Sequence, residues 1–333
     1  MNMGLELEVG KLQVSETGRI LVEHGLVART WGNISCRAVG GKMVITPSGM
    51  GYDRMTEKDV VVMDLATGEW EGNRKPSSEK GIHAGAYEFF DDVNYVIHTH
   101  QNYATAISIA GYEQLDISDE EREALGGIAL AAYGLPGTKT LKNHVYEAYK
   151  TGAHTVFLAH HGVVICGKDR EDTLKKAILL EEICKRNTKG LPENGVTSLQ
   201  ESDLTLLEAV RKTYPYADIV NTNEAVKRSG QKGVIPAQVD DMAQIIGLNI
   251  SHAKKDVQDI LKKLEKRDAV MVEGMGVLIK CTDPEDLQPL KMLVNKAVIC
   301  NLHTRALKVR GTLSFFDTVL MRRVYVTKYS KRK

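Results

Sequence analysis

Two histidines one residue apart, His98 and His100, end an apolar run that begins at Asn94. Side chains of a strand alternate between its two faces, so these imidazoles would point to the same side at the strand's end. Two imidazoles on one face can bind a single metal ion, and the motif therefore supplies half of a metal site. On this motif alone, a histidine pair without any ligand stays an open alternative.

Two further groups would complete such a site. A third histidine, either His160 or His161, lies in a second strand-like run over residues 153–166, and Glu79 lies shortly before the first pair. Neighbouring residues of one strand point to opposite faces, so only one of the two can face the site. Three histidines with one open coordination position are the usual ligands of a catalytic zinc ion, and a nearby carboxylate is then a candidate base.

A β-hairpin is predicted ahead of these residues. Residues 33–39 and 42–46 are strand-like and are joined by Gly40-Gly41, a pair that tolerates the positive φ of a tight turn. An antiparallel hairpin brings Asn33 and the loop Pro47-Ser48-Gly49 to the same end. Backbone N–H groups, the asparagine amide and the serine hydroxyl could surround an anion there, although both loops could also be plain turns.

A helix is predicted after Ser77 and Ser78, with Glu79 in its first turn. A capping serine and free N–H groups would form a second anion contact. Glu79, His83 and Tyr87 follow one another at steps of four and so share one helix face. Glu79 could also be a first-turn acid that stabilises the helix dipole, and His83 and Tyr87 are interpreted as packing residues that face the site.

Composition favours a soluble globular protein with room for two domains, because the 333 residues are 43% hydrophobic and 26% charged. A formal net charge of +1 argues against a nucleic-acid partner. No apolar run is long enough to span a membrane, and acids stand at the N-terminus where a secretion signal has bases, so a cytoplasmic location is expected. Residues 322–333 carry six basic groups and no acid, which indicates a solvated tail or a contact with a neighbouring subunit or an anion.

Five motifs in order resemble one family, the class II aldolase/adducin family, over roughly residues 10–190. They are Gly32-Asn33-Ile34-Ser35, Thr46-Pro47-Ser48-Gly49, Pro76-Ser77-Ser78-Glu79, His98-Thr99-His100 and His161-Gly162. The family includes fuculose-phosphate and rhamnulose-phosphate aldolases, a ribulose-phosphate 4-epimerase and a methylthioribulose-phosphate dehydratase. The resemblance implies an α/β fold, a three-layer α/β/α sandwich with a largely antiparallel central sheet.

The same resemblance implies roles for individual residues. The third ligand is the histidine before the glycine, so it favours His161 over His160 beside His98 and His100, and it makes Glu79 the catalytic acid/base. The implied phosphate pocket contains Asn33, Ser48, Gly49, Ser77 and Ser78. Zinc is the implied metal, with manganese or iron left open because imidazole suits several of these ions.

The implied activity is that of a carbon–carbon lyase, reversible retro-aldol cleavage of a ketose 1-phosphate to dihydroxyacetone phosphate and an aldehyde. Fuculose-phosphate aldolases carry a proton-donating tyrosine about twenty residues past the second histidine, where this chain has acidic residues; Tyr112 and Tyr133 are the nearest substitutes. Two alternatives stay open. One is dehydration, decarboxylation or 4-epimerisation of a sugar phosphate at the same site, and the other is a non-catalytic, adducin-like scaffold.

Beyond a predicted linker at residues 190–195 the chain resembles its own first part. An offset of 123 residues aligns Asn221 and Asn223 with the first two histidines and Ser202 with Glu79, and an offset of 114 aligns Met275 with His161. The hairpin has no counterpart, and the shorter second offset is attributed to trimming of the acidic loop that residues 116–123 form in the first part.

This self-similarity predicts three segments. Residues 1–194 form the catalytic domain, 195–312 a degenerate, metal-free partial repeat of it, and 313–333 a basic tail. By resemblance to ring-shaped family members, a repeat fused behind an active domain favours a homo-oligomer with an even number of chains.

Overall fold

The computed structural model describes residues 4–28, 30–113, 115–193 and 198–329. The chain separates into two compact units, Met1–Asn187 and Thr188–Lys333, which are described in turn. The last two residues of the predicted linker and the last four of the predicted tail lie outside the described residues. The three-segment division with boundaries after residues 194 and 312 stays a prediction.

The described part of the first unit contains a seven-stranded sheet of order β3-β2-β1-β4-β7-β6-β5. Its strands are β1 (Asn33–Ala38), β2 (Lys42–Ile45), β3 (Val61–Asp64), β4 (Tyr95–Thr99), β5 (Ile128–Ala131), β6 (Thr155–Leu158) and β7 (Gly162–Gly167). Its helices are α1 (Leu7–Glu23), α2 (Lys80–Phe89), α3 (Asn102–Ala110), α4 (Asp119–Ala124), α5 (Lys139–Tyr149) and α6 (Arg170–Asn187). Every pairing is antiparallel except β5 with β6, which confirms the predicted largely antiparallel sheet.

Helices cover both faces of this sheet, so the predicted three-layer sandwich is also confirmed. Alternate residues of β4 show how the layers form: Ile97 packs in the core under α1, α3 and α6, whereas Val96 packs in the core under α2 and α5. Strands buried on both faces read as continuous apolar runs, as the sequence shows here. His98 lies on the same face as Val96, the face that α2 covers.

Local structure agrees with most of the predicted elements. The hairpin β1–β2 turns at Gly40 and Gly41, both at positive φ (73° and 70°), which a Cβ would disfavour. One prediction is wrong, because residues 153–166 form two strands and a tight turn rather than one strand, with His160 in the turn at φ 64°. The acidic loop also contains the short helix α4, capped by Ser118.

The described part of the second unit contains a five-stranded sheet of order β8-β12-β11-β10-β9. Its strands are β8 (Asp218–Val220), β9 (Ile235–Pro236), β10 (Asn249–Ala253), β11 (Ala269–Val272) and β12 (Gly276–Ile279). Its helices are α7 (Glu201–Arg211), α8 (Asn223–Ser229), α9 (Asp240–Ile245), α10 (Val257–Leu264), α11 (Leu287–Ala306) and α12 (Phe315–Val324).

Four strands of each unit follow the same path. The order β8-β12-β11-β10 repeats β4-β7-β6-β5, and each neighbouring pair has the same direction, including the single parallel pair at the end. Helices α7, α8, α10 and α11 take the chain positions of α2, α3, α5 and α6. The second unit is therefore a partial repeat of the first, and no counterpart of the hairpin β1–β2 or of β3 occurs in the part of it that the structure describes.

The register corrects the predicted alignment by two residues. A Cβ added to Gly162 would lie 2.2 Å from the carbonyl oxygen of Thr99, and one added to Gly276 would lie 2.2 Å from that of Val220. Val220 is thus the counterpart of Thr99, an offset of 121 and not 123. A slip of two residues keeps every side chain on the same face, so the apolar pattern could not detect it.

With this offset the counterparts change. His98 corresponds to Ile219, His100 to Asn221, and Glu79 to Gln200 rather than Ser202, while Met275 still corresponds to His161. The starts of α3 and α8, Asn102 and Asn223, differ by the same 121 residues. The shortening was also misplaced: it falls between the paired strands β10 and β11, where α10 has 8 residues and α5 has 11.

The predicted tail at residues 322–333 begins inside α12, and its first residue, Arg322, is half-buried rather than fully solvated. Thr318 and Met321 are buried, and the Arg322 guanidinium donates to the carbonyl oxygens of Gln244, at 3.0 Å, and Ile245. It also lies 3.3 Å from the Asp268 carboxylate. The helix is therefore part of the packing of the second unit. Among all described residues, no helix is both long and apolar enough to cross a membrane.

Candidate active site

The three histidines meet at one end of the central sheet. His98 is the penultimate residue of β4, which lies between β1 and β7 and pairs with Asn33 on one side and Val164 on the other. His100 follows the end of β4, and His161 stands directly before β7. Their exposed fractions are 1%, 8% and 4%, so the sheet and the covering helices hold all three inside the protein.

Their Nε2 atoms converge. His98 Nε2 lies 2.9 Å from His100 Nε2 and 3.1 Å from His161 Nε2. The ligand atoms of all three lie within 4.8 Å of one another, and among the described residues this is the group of histidine, cysteine or acidic side chains able to hold a metal ion. The structure thus brings together the three histidines that were predicted as ligands.

The donor set fits a divalent cation. His98 Nδ1 lies 2.9 Å from the carbonyl oxygen of Val163, which can only accept, so Nδ1 carries the proton and Nε2 presents its lone pair to the site. Burial lowers the pKa of His98 to about 3, because a charged imidazole is poorly solvated there. A neutral imidazole is the form that binds metal, and an ion among the three nitrogens would satisfy them together.

His160 does not join this group. Its backbone has a positive φ of 64° in the β6–β7 turn, and its ring lies against Tyr133, with centroids 5.6 Å apart. The turn therefore points His160 and His161 in different directions, as a continuous strand would also have done. His161 is the one that faces His98.

Glu79 lies beside the histidines. Its Oε1 is 3.1 Å from His161 Nε2 and its Oε2 is 3.4 Å from His98 Nε2, and the residue is 8% exposed. Burial alone would raise its pKa, but the two imidazoles and a hydrogen bond from Asn33 outweigh that effect and hold the pKa well below its usual range. The side chain is therefore an ionised carboxylate at the edge of the metal position.

Helix α2 starts later than predicted, and this later start positions the Glu79 carboxylate. Helix α2 begins at Lys80 with Glu79 as its N-cap residue, so neither serine caps it and Glu79 is not in its first turn. Ser77 instead accepts a hydrogen bond from the Glu79 N–H at 3.2 Å, inside a turn that precedes the helix. At the N-cap the backbone is not helical, and the side chain can turn toward the histidines.

A chain of buried polar side chains continues from Glu79 away from the histidines. The Asn33 amide donates to Glu79 Oε2 at 2.9 Å, and its oxygen is hydrogen-bonded to His83 Nε2. Ser35 Oγ lies 2.7 Å from His83 Nδ1 and 2.7 Å from the Tyr87 hydroxyl. The sequence interpretation of His83 and Tyr87 as packing residues missed these bonds, although their spacing of four from Glu79 and the alternation of Asn33 and Ser35 were visible signals.

The predicted phosphate loops lie side by side. Ser48 N–H donates to the carbonyl oxygen of Lys75 at 2.9 Å, and Ser77 N–H donates to that of Thr46 at 3.0 Å. Gly49 has a positive φ of 74°, and Ser48, Gly49 and Ser78 are exposed. Four of the five predicted residues therefore come together near the start of α2, while the fifth, Asn33, directs its side chain to Glu79.

The two candidate proton donors differ in position. Tyr112 packs against Phe157 in the core, with ring centroids 6.2 Å apart. Tyr133 follows β5 and lies against His160, the neighbour of a histidine of the site. Of these two tyrosines, Tyr133 is the one beside the turn that carries His161.

This fold belongs to a known protein family. The chain belongs to the family described as "Class II Aldolase and Adducin N-terminal domain", whose model matches residues 12–188. The predicted resemblance is thereby confirmed.

Curated relatives and a solved structure are similar to the same part of the chain. The L-fuculose phosphate aldolase of Escherichia coli (strain K12) is 36% identical over 170 residues, which are 50% of this chain and 75% of that protein. The 5-methylthioribulose-1-phosphate/5-deoxyribulose-1-phosphate aldolase of Rhodospirillum rubrum is 34% identical over 182 residues, 50% and 80% of the two chains. A solved L-fuculose 1-phosphate aldolase superposes with a TM-score of 0.50 at 32% identity, over 59% of this chain and 92% of that one.

Proposed function

We propose that the first unit is a metal-dependent aldolase that cleaves a ketose 1-phosphate reversibly to dihydroxyacetone phosphate and an aldehyde. The observation that carries this proposal is the convergence of three imidazole nitrogens with a carboxylate 3.1 Å from one of them. Such a set combines a metal position with a general acid/base, the two components that enolate chemistry needs. Curated relatives with aldolase activity support the choice among reactions of this type.

His98, His100 and His161 would hold the cation, and zinc is the first choice because three histidines with an open position suit it; manganese or iron suits imidazole as well. When bound, the cation supplies Lewis-acid polarisation of the substrate's carbonyl and hydroxyl oxygens. Burial holds His98 neutral, and its Nδ1–H bond to Val163 directs the Nε2 lone pair into the site, so this side chain is prepared as a ligand.

Glu79 would transfer the proton. In cleavage it returns a proton to the carbon that loses its bond to the aldehyde, and in synthesis it removes that proton. Its Oε1 faces His161 while Oε2 is held by Asn33, so one oxygen is oriented by the protein and the other faces the metal position. A second acid/base must exchange the proton of the hydroxyl that becomes the aldehyde; we place it at Tyr133 in preference to Tyr112, which packs in the core.

The phosphate of the substrate would bind at the paired loops. Ser48, Gly49 and Ser78 are exposed there, and Ser77 lies in the turn before α2, whose N-terminal end favours an anion. Asn33 can contribute its second amide hydrogen while the first remains with Glu79.

The test is a panel of ketose 1-phosphates assayed for release of dihydroxyacetone phosphate, together with metal analysis of the same preparation. L-fuculose 1-phosphate and 5-deoxyribulose 1-phosphate belong in the panel, since relatives are named for them. We expect one metal per chain and release from at least one substrate. A metal-loaded protein that releases nothing would favour dehydration, decarboxylation or epimerisation, and a protein that binds no metal would favour a scaffold.

We also propose that residues 195–312 act as a metal-free repeat that supports assembly. An even number of chains, with one metal per chain, is the expected state in the cytoplasm. Light scattering on the intact protein, with metal analysis, checks this. A monomer, or two metals per chain, would contradict it.

A further inference from the structure

The proposed mechanism leaves one buried polar cluster unexplained. Asn33, Ser35, His83 and Tyr87 are all at most 4% exposed, and they form an unbroken line of hydrogen bonds that ends on Glu79. Buried polar groups are hydrogen-bonded as a rule, but a line of four that terminates on a catalytic carboxylate is more than the packing of β1 against α2 requires.

All hydrogen bonds of this line run in the same direction, with each donor on the Tyr87 side and each acceptor on the Glu79 side. The Asn33 nitrogen donates to Glu79 Oε2, so the amide oxygen faces His83 Nε2 and must accept from it. His83 therefore carries its proton on Nε2 and accepts at Nδ1, where Ser35 donates. Because the Ser35 proton is used in this way, the Tyr87 hydroxyl donates to the Ser35 oxygen. Each donor thus meets one acceptor, and the order is fixed from one end to the other.

The charge states agree with this order. Burial lowers the pKa of His83 to about 4, since the imidazolium would be poorly solvated, so a neutral ring with one proton is the form present at neutral pH. Burial also raises the pKa of Tyr87 well above its usual range, so the hydroxyl keeps its proton as a donor.

We propose that His83 is a positioning residue for Glu79: it fixes the orientation of the Asn33 amide, so that an N–H group and not the carbonyl oxygen faces the carboxylate. This inference rests on the proposed role of Glu79. An amide free to rotate could present its oxygen, and two acceptors facing each other would push Glu79 out of place. A donor at Nε2 of His83 removes that alternative, and Ser35 and Tyr87 select the tautomer that has it.

The second unit supports the link between the line and the chemistry. Helix α7 repeats α2, and at the offset of 121 Leu204 stands in place of His83, Gln200 in place of Glu79 and Glu208 in place of Tyr87. The strand that would supply Asn33 and Ser35 is absent from its described sheet. The repeat has kept the helix and lost the whole line together with the carboxylate.

The decisive variants are H83L and H83Q. Leucine is the residue of the repeat and cannot donate, whereas a glutamine amide can place an N–H near the position of Nε2. We expect H83L to lower kcat by roughly 10- to 100-fold, the scale of a displaced catalytic group, with KM and metal content within about twofold of wild type. H83Q should recover most of the loss. Equal losses in both variants, or a loss confined to KM, would overturn the proposal.

Two tyrosines provide a matched control. Tyr87 and Tyr95 are both buried, and each hydroxyl is hydrogen-bonded to a side-chain hydroxyl, that of Ser35 at 2.7 Å and of Thr17 at 2.9 Å. Removal of one such bond from the line should lower kcat a few-fold in Y87F, since a net hydrogen bond corresponds to about that factor. Y95F should leave kcat unchanged at a similar loss of stability. If Y95F lowers kcat as much as Y87F, the effect is structural and the proposal fails.

A measurement without substrate separates this inference from the proposed function. Nitrogen-15 NMR of the histidine rings in the metal-free protein at pH 7, with H83Q to assign the signal, should show His83 neutral and protonated on Nε2. A proton on Nδ1, or on both nitrogens, would overturn the order of the line. If wild type cleaves no ketose 1-phosphate while the Nε2 tautomer is found, the proposed function fails and the orientation of Asn33 stands.

Discussion

The two units share one strand order, but the same end of the sheet carries different residues in each of them. In the first, the end of β4 and the turn before β7 carry His98 and His161, buried with polar atoms that face each other. In the second, the same positions carry Ile219 and Met275, at 4% and 1% exposure, and the sheet is retained with the same pairing directions. The metal position is therefore not needed to build this part of the fold.

What the repeat lacks is equally informative. Its described residues contain no counterpart of the hairpin β1–β2, which supplies both the loop of Ser48 and the asparagine that contacts Glu79. On α7, Leu204 is 48% exposed where the corresponding His83 of α2 is fully buried under β1. The hairpin is thus the element that converts a packed four-stranded sheet into a site, because it covers the helix and positions its acid.

The largest expected effect comes from transferring the repeat's residues into the first unit. H98I and H161M should each abolish stoichiometric metal binding and lower turnover by at least ~10³-fold, since the Lewis-acid contribution is worth several kcal/mol. The fold should survive, because the second unit packs isoleucine and methionine there. Metal analysis, activity and circular dichroism of the purified variants check this.

The control for the choice of ligand is H160A, which should keep its metal. Its ring lies against Tyr133 and outside the group of three. Full metal content in H161M together with a loss in H160A would reverse the assignment of the third ligand.

A smaller effect is expected from E79Q, again a residue that the repeat contains, at Gln200. The variant should keep its metal and its fold but lower turnover by about 10²-fold, the usual scale for loss of a general acid/base. Kinetics at saturating substrate with metal content measured in parallel would show it. Near-normal turnover would mean that Glu79 serves only as the N-cap of α2.

The pH dependence of stability should also distinguish His83 from the leucine that the repeat has in its place. His83 has a pKa of about 4 in the folded protein against an ordinary value of 6.5, so the unfolded chain binds more protons below pH 6.5. Its contribution, about 3 kcal/mol, is complete above pH 6.5 and is lost as pH falls toward 4. Leu204 of the repeat has no such group.

Urea unfolding of metal-free wild type and H83Q between pH 4 and 7 measures this contribution as the difference in slope. His303 of the second unit, whose pKa burial also lowers to about 4, contributes to both proteins alike and cancels. Parallel curves for the two proteins would show that His83 is not buried as a neutral ring.

The smallest effect should follow from changes in the repeat itself. N221A and N223A should leave metal content and turnover unchanged and alter stability by no more than about 0.5 kcal/mol, since Asn221 stands where a ligand has been lost and Asn223 is the first residue of α8. Metal loss in either variant would mean that the second unit contributes to the site.

Much of the site could be predicted because its chemistry lies in unusual residue types. His98, His100 and Glu79 stand out from apolar surroundings, and the hairpin is specified by two glycines in succession. The line of hydrogen bonds between Glu79 and Tyr87 was not predictable, because whether His83 only packs or also donates depends on the distance between β1 and α2. No single segment of the sequence encodes that distance. The register of the repeat failed for a related reason: Ile219 and Asn221 lie on the same face, so a two-residue slip leaves the pattern intact.

Gly162 and Gly276 have a bearing on how sequences of this type are sorted. Both are held by the same contact, a carbonyl oxygen of the neighbouring strand too close to allow any side chain, and one of them stands in a unit without ligands. In the His-Gly pair, then, the glycine indicates only that two paired strands lie close together, whereas the histidine indicates a metal ligand. A search pattern that scores the glycine will recover retired copies of the domain along with working ones, whereas the ligand positions, which carry Ile219 and Met275 in this repeat, tell them apart.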